Sequence, residues 1–181
     1  MQGMTKKDFT IIVFSENRTG ILFRVIGIVT RRHINIMSIN ASESAIPGIH
    51  KITIVINVEL AEVEKLVAQI DKQIDVLKAF HYTNDKIVYQ EIALYKVPTK
   101  SFHNGDLVEN IVRKHNAKIL RIEEEYTVIE KSGTKEDTDA LLLALKKTGI
   151  YEFVRTGRVA IVKPMEQLNT YLKHINSNSF N

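Results

Sequence analysis

Cysteine is missing from all 181 residues, and with it go disulfides, thiolate metal sites and cysteine nucleophiles. Long apolar runs are missing too: none approaches the ~20 residues that a membrane-spanning helix requires. Nothing ahead of the first predicted strand has the build of a signal peptide. The expectation from these absences is a cytoplasmic protein that binds no membrane. One-sided charge is also scarce. Lys plus Arg number 25 against 21 Asp plus Glu, and the resulting +4 is spread along the chain. That balance serves solubility or a modest attraction to an acidic partner protein. It lacks the concentrated basic face of a nucleic-acid binder.

The motifs of common catalytic machinery are absent as well. There is no GxSxG, Walker or GxGxxG pattern. The six histidines, at 33, 50, 81, 103, 115 and 174, include no pair at i,i+4 and no HExxH. Glu123, Glu124 and Glu125 form the densest carboxylate run. Neighbours in an extended chain point to opposite faces, so this run reads as a solvated edge instead of an acid/base pair. The expectation is a protein with no catalytic residues, metal site or cofactor of its own.

What the chain does have is apolar periodicity. Apolar residues make up 44% of it, enough for a packed core in one or two domains. Ile11 to Phe14 is a strand-like run, followed by a polar turn through Gly20. Leu22, Val25, Ile26 and Val29 then fall at i, i+3, i+4 and i+7 and predict a helix to about Arg32. Gly27 inside it suggests close packing against a sheet. From Asn35 to Ser44, Met37, Ile39 and Ala41 alternate with Ser38, Asn40 and Ser42, placing Ile36 on the face opposite Met37. A turn at Ala45–Gly48 leads to a third strand at 50–59, with Val55 opposite the Ile52, Ile54 and Ile56 face. Val63, Leu66, Val67 and Ile70 predict a second helix, and 74–82 a fourth strand.

This order is βαββαβ, the ferredoxin-like α+β arrangement, which leaves one sheet face without helices. That face must be solvated or covered, and Ile36 and Val55 hint at a partner there. The order then repeats: a strand at 88–97 closed by Pro98, a helix at 106–115, strands at 117–124 and 126–131, a helix opened by a Thr134/Asp137 capping box, and a last strand at 151–162 bent at Gly157. Met165, Leu168, Tyr171 and Leu172 predict a short amphipathic helix before a polar end. The expected domains are 8–83 and 87–163, with a tail at 164–181. An RNA-recognition motif shares the βαββαβ order but carries stacking aromatics on its central strands. The third strand here, HKITIVINV, has none, so no nucleic-acid partner is expected.

A strand, a polar loop with glycine and a helix start together offer unpaired N–H groups and a positive dipole end to a small anion. Gly20 sits at that junction. The segment Glu16-Asn17, Gly20, Leu22, Arg24-Val25-Ile26-Gly27, Arg32 and Asn35-Ile36 resembles the N-terminal ACT domain of the small, regulatory subunits of acetolactate synthase. KITIVI at 51–56, IDKQIDVLK at 70–78 and QEIALYKV at 90–97 match the same family in the same order. The resemblance covers roughly residues 9–163.

The resemblance implies a non-catalytic subunit that activates a catalytic large subunit and confers feedback inhibition, usually by valine, in branched-chain amino acid biosynthesis. Thiamine diphosphate, magnesium and FAD would belong to that catalytic partner. It also implies a homodimer through the ACT domains, with the amino-acid effector between them. Carried over, Asn17, Gly20 and the N–H of Ile21 would hold the effector's carboxylate and amino group, and Asn35 of the neighbouring subunit would complete the pocket. Leu22 and Ile36 belong to the same expected effector site. Lys51 stands where the family commonly has Arg. His33-Ile34 replaces a Gly-aromatic pair, so the path into the second strand is expected to differ. The alternative reading is a stand-alone ACT-type amino-acid sensor acting on another enzyme or regulator.

Overall fold

The computed structural model describes residues 5–103 and 107–163. Its first unit contains β1 (Lys7–Glu16), α1 (Ile21–Arg31), β2 (Ile36–Glu43), β3 (Ile49–Val58), α2 (Leu60–Ile70) and β4 (Val76–Tyr82). All strand pairs are antiparallel, and the sheet order is β2-β3-β1-β4. Both helices pack on one face. The core between layers is built from Ile11 and Val13 of β1, Ile52, Ile54 and Ile56 of β3, and the inner stripes of α1 and α2. On α2 the buried residues are Val63, Leu66, Val67 and Ile70, as the helical period requires.

Two local expectations are corrected. Met37 is a bulge: the pairing runs Ile36 with Ile56 and then Ser38 with Val55. One extra residue reverses the alternation. Ile36 therefore leans on the same core as Ile39, and Met37 is exposed. Gly27 does not mark a close approach to the sheet, since a Cβ there would meet only the Arg31 guanidinium, at 3.4 Å.

The second unit repeats the topology. It contains β5 (Ile87–Pro98), the short helix α3 (Lys100–His103), α4 (Leu107–Lys114), β6 (Lys118–Ile122), β7 (Tyr126–Gly133), α5 (Lys135–Leu145), β8 (Glu152–Arg155) and β9 (Val159–Val162). Its sheet order, β6-β7-β5-β8, is that of the first sheet. Tyr95, Ile129, Leu141 and Leu145 are fully buried in its core. The capping box is complete: the Asp137 N–H donates to Thr134 Oγ1 at 3.3 Å and the Thr134 N–H to Asp137 Oδ2 at 2.9 Å.

The expected last strand is split in two. β8 pairs with the Ala93–Lys96 stretch of β5, and β9 pairs with the Ile87–Gln90 stretch. The break falls at 156–158, around Gly157. It lets β9 and the first half of β5 form a ribbon that leaves the second sheet and lies on the first unit. The helix expected at 165–172 and the tail around it lie outside the described residues.

That ribbon answers what covers the helix-free face of the first sheet. Thr10, Ile12, Thr53 and Val55 are all buried there. Their cover comes from this chain. Arg158 Nη1 donates to Thr10 Oγ1 at 2.9 Å, and Lys51 Nζ donates to the Ala160 carbonyl at 2.5 Å. Gly157 sits so close to β2 that a Cβ would stand 2.3 Å from the Ile39 carbonyl oxygen.

Candidate functional site

The loop between β1 and α1 is pinned from two sides. The Glu16 N–H donates to the Asp75 carbonyl and the Asn17 N–H to the Gly48 carbonyl, each at 2.9 Å. Turns ahead of β4 and β3 thus fix the loop's path, and both use left-handed residues, Asp75 at φ 70° and Gly48 at φ 78°.

Gly20 caps α1 at φ 84°, with no side-chain cap and open space where a Cβ would project. The conformation, not crowding, is what calls for glycine here. Past it, the Ile21 N–H already donates to the Arg18 carbonyl at 3.2 Å. Among the described residues, no backbone acceptor meets the N–H groups of Leu22 and Phe23. The first turn of α1 also has no acidic residue to neutralise its positive end.

Charged side chains flank this helix start. Arg24 Nη2 meets Asp75 Oδ2 at 2.5 Å, tying α1 to the turn before β4. Arg18 pairs with Glu16 at 3.1 Å. Arg18, Gly20, Phe23, Arg24 and Asp75 line an open cleft, and the Phe23 ring is 81% exposed beside it. Free N–H groups and guanidinium donors suit a carboxylate, the Asp75 carboxylate suits an ammonium group, and Phe23 offers an apolar surface.

Of the residues expected at a site, Asn17, Gly20 and Leu22 gather at this end and are exposed. The Ile21 side chain goes into the core instead, and its N–H is engaged. Asn35 and Ile36 follow the other end of α1. Eleven helical residues separate the two ends, about 16 Å at 1.5 Å per residue. One chain therefore does not bring Asn35 to Gly20. His33 enters the left-handed region at φ 57°, the conformation a glycine would have adopted. The helix thus ends left-handed despite the substitution.

Sequence reasoning missed Arg18, Phe23, Arg24 and Asp75 as cleft residues. Asp75 lies 51 positions from Arg24, and only the folded β4 turn brings it near. Phe23 had a signal: it is a large apolar residue off the inner stripe of α1. Among the described residues, no group of three His, Asp or Glu side chains is placed to hold a metal ion. No described helix is long and apolar enough to cross a membrane.

Comparison with known proteins agrees over both units. A family described as the AHAS small subunit-like ACT domain matches residues 11–78, and one described as the small subunit of acetolactate synthase matches residues 90–164. The chain is 36% identical over 163 residues to the acetolactate synthase small subunit of Bacillus subtilis, covering 90% of this chain and 93% of that one. It is 33% identical over 152 residues to the Mycolicibacterium smegmatis protein of the same name, covering 84% and 89%. The crystal structure of the acetolactate synthase small subunit from Thermotoga maritima superposes with a TM-score of 0.79 at 25% identity, covering 87% of this chain and 98% of that one.

Proposed function

The chain belongs to the family of acetolactate synthase small subunits, and from that premise we propose that it confers feedback inhibition by a branched-chain amino acid, valine, on the catalytic large subunit it activates. It is the regulatory subunit and not the catalytic one. Thiamine diphosphate, magnesium and FAD reside on the large subunit. Residues 8–83 form the ACT domain that binds effector and dimerises, 87–163 form the C-terminal domain, and 164–181 form a tail.

The observation that carries the effector reading is the start of α1. Gly20 leaves the Leu22 and Phe23 N–H groups open, and Asp75 stands across the cleft. A zwitterion with an aliphatic side chain meets donors for its carboxylate, a carboxylate for its ammonium group and the Leu22/Phe23 surface for its side chain. Asn35 lies about a helix length away in its own chain. A second ACT domain presenting its Asn35 and Ile36 to this cleft would close the pocket, so the reading requires a homodimer.

The test is reconstitution. The purified chain, added to its large subunit with pyruvate and thiamine diphosphate, should raise acetolactate formation, and valine should suppress that gain. Turnover by the small chain alone would overturn the assignment. Valine binding without any effect on the large subunit would favour the stand-alone sensor.

A further inference from the structure

A second cavity, an open cleft of about 350 Å³, lies between the two units, away from the start of α1. Its floor is a square of cross-strand neighbours on the helix-free face: Asn40 opposite Thr53, and Ser42 opposite Lys51. Its wall is the β5/β9 ribbon, where Val88, Val159 and Ile161 line the cavity yet remain 50–65% exposed. Among the described residues, Lys51 is the one cation of the lining, and no carboxylate lines it. The Lys51 amine spends one of its three donors on the Ala160 carbonyl, and among the described residues no carboxylate pairs with it.

We propose that this cavity is a binding site for a small aliphatic monocarboxylate, whose carboxylate pairs with Lys51 while its chain lies along Val88, Val159 and Ile161. A half-buried cation without a counter-ion is costly, and a carboxylate offsets that cost with charge-assisted hydrogen bonds. Burial already holds the Lys51 amine below the usual lysine range, the direction expected of a charge left uncompensated. Ser42 and Asn40 supply further neutral donors to the same carboxylate. The aliphatic wall, left at least half exposed among the described residues, then gains cover. A single cation with an apolar wall fits one negative charge, and a phosphate ester would leave its second charge unmatched. Because floor and wall come from different units, the ligand fastens the ribbon to the sheet.

The probe is hexanoate, with hexanamide as its uncharged counterpart, titrated into the full chain and followed by backbone amide shifts. Hexanoate should move the Ser42, Lys51 and Ala160 amides saturably, while hexanamide binds at least tenfold more weakly. Lys51→Met should weaken hexanoate at least tenfold, and Lys51→Arg should retain it, showing that the charge and not the fold is at stake. Equal binding of acid and amide, undiminished binding to Lys51→Met, or no saturable shift would each overturn the proposal. Shifts confined to Gly20–Phe23 would also overturn it, because they would place the acid at the start of α1. The titration involves neither valine nor the large subunit, so its failure is separate from any failure of the effector reading.

Discussion

Arg158 reaches across 148 positions of sequence to hydrogen-bond Thr10 at 2.9 Å, with its guanidinium 3.7 Å above the ring of Tyr89. Its Nη1 also meets Asn84 Oδ1 at 2.8 Å, so one side chain joins β1, the link between the units, and the ribbon. Arg158 is 4% exposed, and among the described residues no carboxylate pairs with it. The stacked ring and neutral oxygens are its compensation for lost water.

Arg158→Ala should therefore loosen the joint between units more than either core. Loss of two hydrogen bonds to a charged donor and of the stacked ring predicts about 2–4 kcal/mol. Urea unfolding followed by a probe in each unit should change from one shared transition to two. A single transition at the wild-type midpoint would mean that the joint contributes nothing.

Gly157→Ala tests the same joint from the backbone side. The added Cβ would stand 2.3 Å from the Ile39 carbonyl oxygen and 2.7 Å from its carbon, neither of which belongs to a flexible side chain. The strain should cost about 1–3 kcal/mol. Gly27→Ala is the counterpart, because its new methyl meets only the end of Arg31 at 3.4 Å. Helix propensity should raise stability there by about 0.5–1 kcal/mol. Thermal melts of the two variants should move in opposite directions.

Part of what depends on near neighbours was legible in the sequence, although the inner stripe of α1 is Ile21, Val25, Ile28 and Val29 and not the expected Leu22, Val25, Ile26 and Val29. The α2 stripe and the Thr134/Asp137 cap are set within a few positions of one another. Even the bend at Gly157 was visible as a glycine inside a strand pattern. The consequence of that bend was not, because the partner is the Ile39 backbone over a hundred positions away. Met37 misled for a different reason: strict alternation has no sign of a bulge, and one inserted residue moves Ile36 to the other face. At the candidate site, Gly20 and Asn17 were readable from the turn, whereas Asp75 entered through the fold.

Tyr95 predicts an alkaline weakness in the second unit. Its ring is fully buried, its hydroxyl donates to the Thr138 carbonyl at 2.6 Å, and burial pushes its pKa from 10.0 up to about 12. The folded protein keeps the neutral form that the unfolded chain loses near pH 10. Stability from this residue is thus full below pH 10 and is lost as pH rises to about 12, on the order of 2–3 kcal/mol. Tyr95→Phe should cost about 1 kcal/mol at neutral pH for the hydrogen bond. The difference between the two proteins should then shrink or reverse by pH 11, as read from urea midpoints at pH 8, 10 and 11.

The Thr134 cap predicts a smaller effect at the acidic end. Thr134→Ala removes the acceptor for the Asp137 N–H and should cost about 1 kcal/mol. In the wild type, hydrogen bonds from Thr134 hold the Asp137 carboxyl below the usual carboxylate range. The stability they supply is present above about pH 4 and fades as pH falls through the lowered value. Denaturant midpoints at pH 7 and pH 3 should show the variant less acid-sensitive than the wild type.

Gly20→Asp separates effector binding from activation. Gly20 stands at φ 84°, so any side chain there strains the backbone by about 1–3 kcal/mol, with aspartate among the residues that tolerate this region best. Space is not the obstacle, since nothing lies within 4 Å of the new Cβ. The carboxylate would instead lie over the start of α1, where it can take up the Leu22 and Phe23 N–H groups and repel a second carboxylate. Its charge also suits the positive end of the helix, which offsets part of the strain. The ribbon and its Arg158 joint lie on the opposite face of the sheet from α1 and should be untouched. Feedback is a coupling free energy of typically 1–3 kcal/mol between two sites, and it disappears when the effector no longer binds. In a reconstituted synthase, the Gly20→Asp subunit should therefore activate as well as wild type while valine no longer inhibits. If the variant complex stays as valine-sensitive as wild type, the effector is bound somewhere other than the Asn17–Leu22 end of α1.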